Sequence, residues 1–185
     1  MHLSTQPFKF KYPRILSIAG SDSNGGAGIQ VDLKTFSALG GYGMTALNTL
    51  GVRAIHSVLP GMLKSQIDAL MEGWGADGFK IGILHSAETV QTVAEAIDRH
   101  ALKNVVLDPV MVATSSAVLI ENPAIAALVS DLFKRAVLVT PNLDEAALLV
   151  RKNLVNEQGI EKAAQELLNK GGHLAGDVVS DLLLT

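Results

Sequence analysis

The strongest constraint on this chain lies in residues 15–36, where a short apolar run breaks into a bare glycine loop and then resumes at helical spacing. Ile15 to Ala19 reads as a strand entering the middle of a sheet. Gly20-Ser21-Asp22-Ser23-Asn24-Gly25-Gly26-Ala27-Gly28 follows, with four glycines and no large apolar side chain. Ile29, Leu33, Phe36 and, less regularly, Leu39 then return with the period of an amphipathic helix. Strand, loop without bulk, helix: this order brings backbone close to a ligand and aims a helix N-terminus at it. A tight turn would need one glycine. Four of them, with Ser21, Asp22, Ser23 and Asn24 alongside, point to a ligand site. The loop matches neither the G-x-x-x-x-G-K-[ST] phosphate loop nor the G-x-G-x-x-G dinucleotide fingerprint, so its ligand need not be a phosphate.

Further along, strands and helices alternate. Met44–Leu47 reads as a second buried strand, and Asn48 in its plainest reading is a turn residue. A helix is expected over Gly61–Met71, with Met62, Ile67, Leu70 and Met71 facing inward. Gly78–Leu84 reads as a third strand, and Ser86 as the N-cap of a helix over Thr89–Ala101. His85 and His100 have no partners at metal-ligand spacing and read as surface residues. Asn104–Met111 is a fourth strand with Asp108 at its C-terminal end, the end that faces the ligand crevice in open parallel sheets. That carboxylate is either a cap or turn group, or one that holds Mg²⁺ through water. Leu119–Leu132 supplies a helix and Ala136–Thr140 a fifth strand. Pro141, Asn142, Asp144 and Glu145 make a good helix start on structural grounds alone. Asn156–Leu168 is a last amphipathic helix, and Lys170 before Gly171-Gly172 reads as its C-cap region. Val178–Leu184 is a final apolar run. The pattern predicts an α/β fold of three layers, a mostly parallel sheet with helices on both faces.

Composition narrows the function class. A net charge of −3 without a basic run argues against nucleic acid or a membrane surface as partner. The absence of cysteine excludes disulfides and thiolate metal sites and agrees with a reducing compartment. No apolar run reaches the ~20 residues a bilayer needs, and residues 1–14 lack the apolar stretch of a secretory signal. The expectation is a cytoplasmic enzyme: a loose lead-in over residues 1–13 and one domain over residues 14–185.

The stretch G-S-D-S-N-G-G-A-G-I-Q-V-D-L-K-T-F closely resembles the N-terminal signature of the hydroxymethylpyrimidine/phosphomethylpyrimidine kinases of thiamine biosynthesis, within the ribokinase-like superfamily. D-P-V-M-V-A-T-S around Asp108 and T-P-N-L-D-E, with the N-x-x-E motif at Asn142 and Glu145, extend the likeness. The resemblance implies ATP-dependent phosphorylation of 4-amino-5-hydroxymethyl-2-methylpyrimidine and of its monophosphate, with Mg²⁺ as cofactor, in a homodimer. By the same resemblance Gly20, Asp22, Gly26, Ala27, Ile83 and Val110 line the pyrimidine pocket. Asp108 and Glu145 organise Mg²⁺ and its waters, Asn142 and Glu145 flank the nucleotide phosphates, and Lys170 reaches the transferring phosphate as a catalytic cation.

Three departures matter. The family places several more residues, including a ring-binding glutamine, before the Asn-Thr pair, whereas Leu47 here joins Asn48 directly. Either that residue is lost or a segment is absent from the sequence; the Asn48 amide is a possible substitute. Ile83 stands where the family usually has methionine, and the β-branched residues usual before Lys170 are absent. The family also continues beyond Thr185 with a glycine loop carrying the anion hole and the general base, so the domain reads as truncated or incompletely represented. Two further readings stay open: a pyridoxal kinase of the same superfamily, or a non-catalytic small-molecule binding remnant.

Overall fold

A computed structural model describes residues 12–50, 56–111 and 119–170. Strands β1 (Arg14–Ser21), β2 (Tyr42–Leu50), β3 (His56–Ser57), β4 (Gly78–Ile81), β5 (Val105–Leu107) and β6 (Leu138–Val139) form one sheet in the order β3-β2-β1-β4-β5-β6. Every neighbouring pair is parallel except β2 with the short β3. Helices α1 (Gly28–Ala38), α2 (Pro60–Gly73), α3 (Ala87–Arg99), α4 (Asn122–Ala127), α5 (Leu143–Val150) and α6 (Glu157–Lys170) complete the described architecture. This is the expected α/β fold with a mostly parallel sheet.

The strands' period of two divides the sheet into unlike faces. Leu16 and Ile18 of β1, Phe79 and Ile81 of β4, and Val105 and Leu107 of β5 fall on one side, all buried. They cluster with Leu63 and Ile67 of α2 and Val90, Val93 and Ile97 of α3. Each fully buried Leu or Ile contributes about 1.5–3 kcal/mol of transfer free energy. On the opposite face Ser17 is paired in register with Lys80, Lys80 with Val106, and Val106 with Leu138. Helix α1 covers the β1–β2 half of that face, where a Cβ on Gly43 would strike Leu33 at 2.6 Å.

Local signals explain the helix starts. Ser86 Oγ accepts from Thr89 N at 3.3 Å and caps α3, with Glu88 in the first turn and Arg99 in the last, as the helix dipole favours. Pro60 opens α2 at a position where its absent N–H costs nothing. Helix α3 is tied to α2 through Asp68, whose carboxylate accepts from Arg99 Nη1 at 3.0 Å, pairs with His100 Nε2 at 2.7 Å and accepts from Lys64 Nζ at 2.5 Å. Those three partners hold Asp68 well below the usual carboxylate range, the Lys64 and His100 hydrogen bonds acting most strongly. The start of β1 is fixed to the loop before β4 by Arg14, which grips both oxygens of Asp77 and the Trp74 carbonyl.

Several expectations need correction. Met62 faces solvent, and Leu63 takes the buried place assigned to it. Leu63 stands four residues before Ile67 and so shares its face with Leu70 and Met71, which pack on the core as expected, whereas Met62 is turned away from it. Asn48 is no turn residue but lies buried within β2. His100 is held in the α2–α3 contact rather than free on the surface. The helix expected over Leu119–Leu132 is a short α4 followed by a π-turn over Leu128–Leu132 and a 3-10 turn over Phe133–Arg135. Strand β5 keeps only the N-terminal part of the run read over Asn104–Met111, and β6 only the middle of Ala136–Thr140. The lead-in over residues 1–11 and the run Val178–Leu184 lie outside the described residues.

Candidate active site

The glycine loop sits at the C-terminal end of β1. Asp22 orders it: Oδ1 accepts from Asn24 N and Oδ2 from Gly26 N, each at 3.0 Å. Gln30, one turn into α1, accepts from Asp22 N at 3.0 Å and donates to Ser21 Oγ at 2.6 Å. Lys34 Nζ donates to the Gly25 carbonyl at 2.7 Å. Asp22 therefore acts on the loop itself rather than presenting a free carboxylate. Ala27 is the extended N-cap of α1, with no side-chain cap bond. Gly28 has φ +58°, and a Cβ there would lie 2.2 Å from the Gly20 carbonyl oxygen, which explains why this position has no side chain. Gly20 is equally constrained, because a Cβ would fall 2.3 Å from Thr49 Oγ1 and 3.0 Å from Ile83 Cγ2.

Gly20, Ile83 and the end of β2 are thereby brought together, joined further by Asn48 Nδ2, which donates to the Ile83 carbonyl at 2.7 Å. Asn48 is the extra residue of a bulge: Ala19 pairs with Leu47 but Gly20 with Thr49. Its Oδ1 is buried and accepts no hydrogen bond among the described residues.

Asp108 follows β5, its N–H bonded to the Ile81 carbonyl at 2.8 Å, and Val110 N closes onto the Asp108 carbonyl at 2.8 Å. Sequence reading missed what holds Asp108 there. Lys80 Nζ lies 3.2 Å from Asp108 Oδ2 and 3.4 Å from Oδ1 of Asp32. Asp32 is buried in α1 and accepts from Ser17 Oγ at 2.6 Å. A polar chain Ser17–Asp32–Lys80–Asp108 thus crosses the α1 face of the sheet toward the crevice. One signal was available: Asp32 occupies the inward helical stripe with Phe36, where an acid requires a buried cation.

Asn142 and Glu145 form a reciprocal capping box at the start of α5. Asn142 Oδ1 accepts from Glu145 N and Glu145 Oε2 from Asn142 N, both at 2.9 Å. Glu145 Oε1 accepts a longer bond, 3.4 Å, from Met111 N and so links α5 to the exit of β5. Burial pushes the Glu145 carboxyl up, the Asn142 and Met111 N–H groups pull it down, and the Asp108 charge adds to the rise. Lys170 is the last residue of α6; the Gly171-Gly172-His173 that follow it lie outside the described residues.

The acids fit a hydrated cation better than direct ligation. Among the described residues no group of three or more His, Asp or Glu side chains could hold a metal ion. Both Glu145 oxygens already accept from backbone, whereas Asp108, a third exposed, has one oxygen beside Lys80 and the other with no hydrogen bond among the described residues. A groove of about 360 Å³ lined by Met71, Phe79, His100 and Leu102 lies at the opposite, N-terminal end of β4 and β5. Parallel sheets bind ligands at the C-terminal end, and the glycine loop and Asp108 stand there. No helix of the described residues is long and apolar enough to cross a membrane.

Comparison with known proteins agrees with this geometry. A model of the phosphomethylpyrimidine kinase family matches residues 22–185. The chain is 45% identical over 188 residues to the thiamine biosynthesis bifunctional protein ThiED of Geobacter sulfurreducens, covering 92% of this chain and 38% of that protein. It is 43% identical over 182 residues to the hydroxymethylpyrimidine/phosphomethylpyrimidine kinase of Rhizobium meliloti, covering 90% of this chain and 68% of the relative. The chain thus spans well under half of the first relative and about two thirds of the second. A crystal structure of phosphomethylpyrimidine kinase from Clostridium difficile superposes with a TM-score of 0.80 at 35% identity, over 90% of this chain and 78% of that one. An ADP complex of Bacillus subtilis pyridoxal kinase superposes with a TM-score of 0.79 at 34% identity, over 86% and 63%.

Proposed function

The chain belongs to the phosphomethylpyrimidine kinase family of ribokinase-like phosphotransferases, and on that premise we propose that it phosphorylates 4-amino-5-hydroxymethyl-2-methylpyrimidine and its monophosphate with ATP, in thiamine biosynthesis. The observation that carries this reading is the juxtaposition at the C-terminal edge of the sheet. The glycine loop locked by Asp22, the Gly20–Thr49–Ile83 contact and the Lys80–Asp108 pair meet at one crevice.

In the first proposed reaction the substrate's hydroxymethyl oxygen attacks the γ-phosphorus of ATP and its proton is lost to a base; in the second a phosphate oxygen of the monophosphate is the nucleophile. In both, the bond from the γ-phosphorus to the β-phosphate oxygen breaks and ADP leaves. Such transfer depends mainly on positioning and charge stabilisation. Gly20, Gly26, Ala27, Ile83 and Val110 would shape the flat ring's pocket, with Asp22 holding the loop in that form. Asn142 and Glu145 would stand beside the nucleotide phosphates, and Lys170 would offset phosphate charge, a role resting on the K-G-G-H likeness. Mg²⁺, which neutralises phosphate charge in such transfers, would be held through water near Asp108 and Glu145. Asp108 and Lys170 are accordingly the proposed catalytic groups, working in a cytoplasmic homodimer.

The likeness to pyridoxal kinase favours a second reading, phosphorylation of pyridoxal. Both are tested by coupled detection of ADP and by calorimetry, with ATP and Mg²⁺ and each acceptor in turn. ADP formation dependent on the pyrimidine is expected. Turnover of pyridoxal alone would transfer the assignment, and pyrimidine binding without ADP would leave a binding remnant. No interaction with either acceptor would sink the proposal.

A further inference from the structure

Asn48 satisfies only half of its hydrogen-bonding capacity although it is fully buried. Its Nδ2 donates to the Ile83 carbonyl, and that bond fixes the orientation of the amide: a flipped amide would set two carbonyl oxygens against each other. The Oδ1 that remains can only accept, and among the described residues nothing donates to it. Buried acceptors in folded proteins are nearly always partnered, so an orphan of this kind calls for an explanation. Its location supplies one. The residue is the inserted one of a bulge between β1 and β2, and bulges beside functional sites re-aim a side chain. The bulge lies immediately beside Gly20, where the ligand loop begins, and Asn48's fixed partner Ile83 touches the same glycine.

We propose that Asn48 is a specificity-determining residue whose Oδ1 receives an N–H donor of the acceptor substrate. This deepens the pyrimidine reading and rests on it. The ligand class is a flat heteroaromatic ring bearing an exocyclic amino group, since such a group offers an N–H in the ring plane. A ring without a donor at that edge leaves the acceptor buried and unpaired, and the site rejects it for that reason.

The test uses the full chain, calorimetry, and two ligands: 4-amino-5-hydroxymethyl-2-methylpyrimidine and the analogue with hydrogen in place of the 4-amino group. Loss of the amino group should weaken binding to the unmodified chain about ten- to a hundredfold, which corresponds to about 1.4–2.8 kcal/mol. Asn48→Leu, near in volume and without polar atoms, should lose the same factor for the amino compound and show no further loss for the analogue. Its melting temperature without ligand should fall modestly, because the orphan is removed but the Ile83 carbonyl loses its donor. Asn48→Met serves as a second variant if the branched side chain does not fold. Equal affinity of the unmodified chain for both compounds overturns the assignment of Asn48, whatever the variants do. So does a variant that still distinguishes the two ligands by the original factor. Failure of the unmodified chain to bind either pyrimidine overturns the pyrimidine reading as a whole.

Discussion

Replacing Lys80 by methionine tests the polar chain beneath the crevice most directly. The Asp32 side chain is 8% exposed, and Lys80, 21% exposed, is its cation at 3.4 Å. Methionine keeps the stem's bulk and removes the charge, leaving a buried carboxylate whose remaining partner is the Ser17 hydroxyl at 2.6 Å. Removing one partner from a fully buried ion pair costs about 3–5 kcal/mol. The partial exposure of Lys80 and the retained Ser17 bond reduce this to about 2–3 kcal/mol. The Asp108 contact, on a carboxylate one third exposed, adds less than about 1 kcal/mol. With a urea slope of about 2 kcal/mol per molar, the midpoint should fall by about 1–1.5 M. Adding Asp32→Asn removes the stranded charge while keeping an acceptor for Ser17, and the double variant should recover at least half of the loss. A Lys80→Met midpoint indistinguishable from that of the parent, or a double variant no better than the single one, would show that the pair carries no such energy.

Other perturbations follow from single contacts. Gly28→Ala places a Cβ 2.2 Å from the Gly20 carbonyl at φ +58°, so the loop must move; a loss of more than about 1 kcal/mol is expected in thermal melts, together with loss of pyrimidine binding. Asn142→Ala removes the α5 cap and should cost about 1 kcal/mol by denaturant titration, an unchanged midpoint counting against the capping box. Asp77, gripped by Arg14, titrates at about 2 instead of 3.8. The folded state therefore holds this proton less tightly than the unfolded chain. Its stabilising contribution is complete above the unfolded value and fades as pH falls from about 4 toward 2. In pH-resolved melts Asp77→Asn should be less stable than the parent at pH 6 and converge with it near pH 2; a constant gap would refute the linkage.

What could be read from the sequence was what acts within a few residues. Ser86 announces α3 because a cap and its amide lie three positions apart, and the Asn142–Glu145 box is legible for the same reason. The glycine loop showed itself because steric demand acts on each glycine separately. The chain Ser17–Asp32–Lys80–Asp108 did not, because its members come from β1, α1, β4 and the exit of β5 and meet only through sheet register. Asp22 was read as facing a ligand, whereas its oxygens close on Asn24 and Gly26, a choice between local and ligand bonds that residue type does not decide. Asn48 was misplaced because a bulge leaves no mark on a pattern of apolar and polar residues. Met62 was assigned inward because it and Leu63 are adjacent apolar residues, and only the spacing of four to Ile67 separates them.

The placement of Lys80 also bears on how the chain finds its fold. Parallel strands pair across long intervening segments, are slow to form and can be offset by one residue with little loss of backbone bonding. In β4, Lys80 is the one charged residue among Gly78, Phe79 and Ile81. A one-residue slip of β4 against β1 would turn its ammonium toward Leu16 and Ile18 and bring Phe79 and Ile81 under the acid of α1. The misaligned sheet would bury two opposite charges apart, a penalty far exceeding that of a slipped apolar strand. On this reasoning a Lys80→Leu chain refolded from urea should populate more misregistered, slowly correcting species than the parent, and identical refolding of the two would count against it.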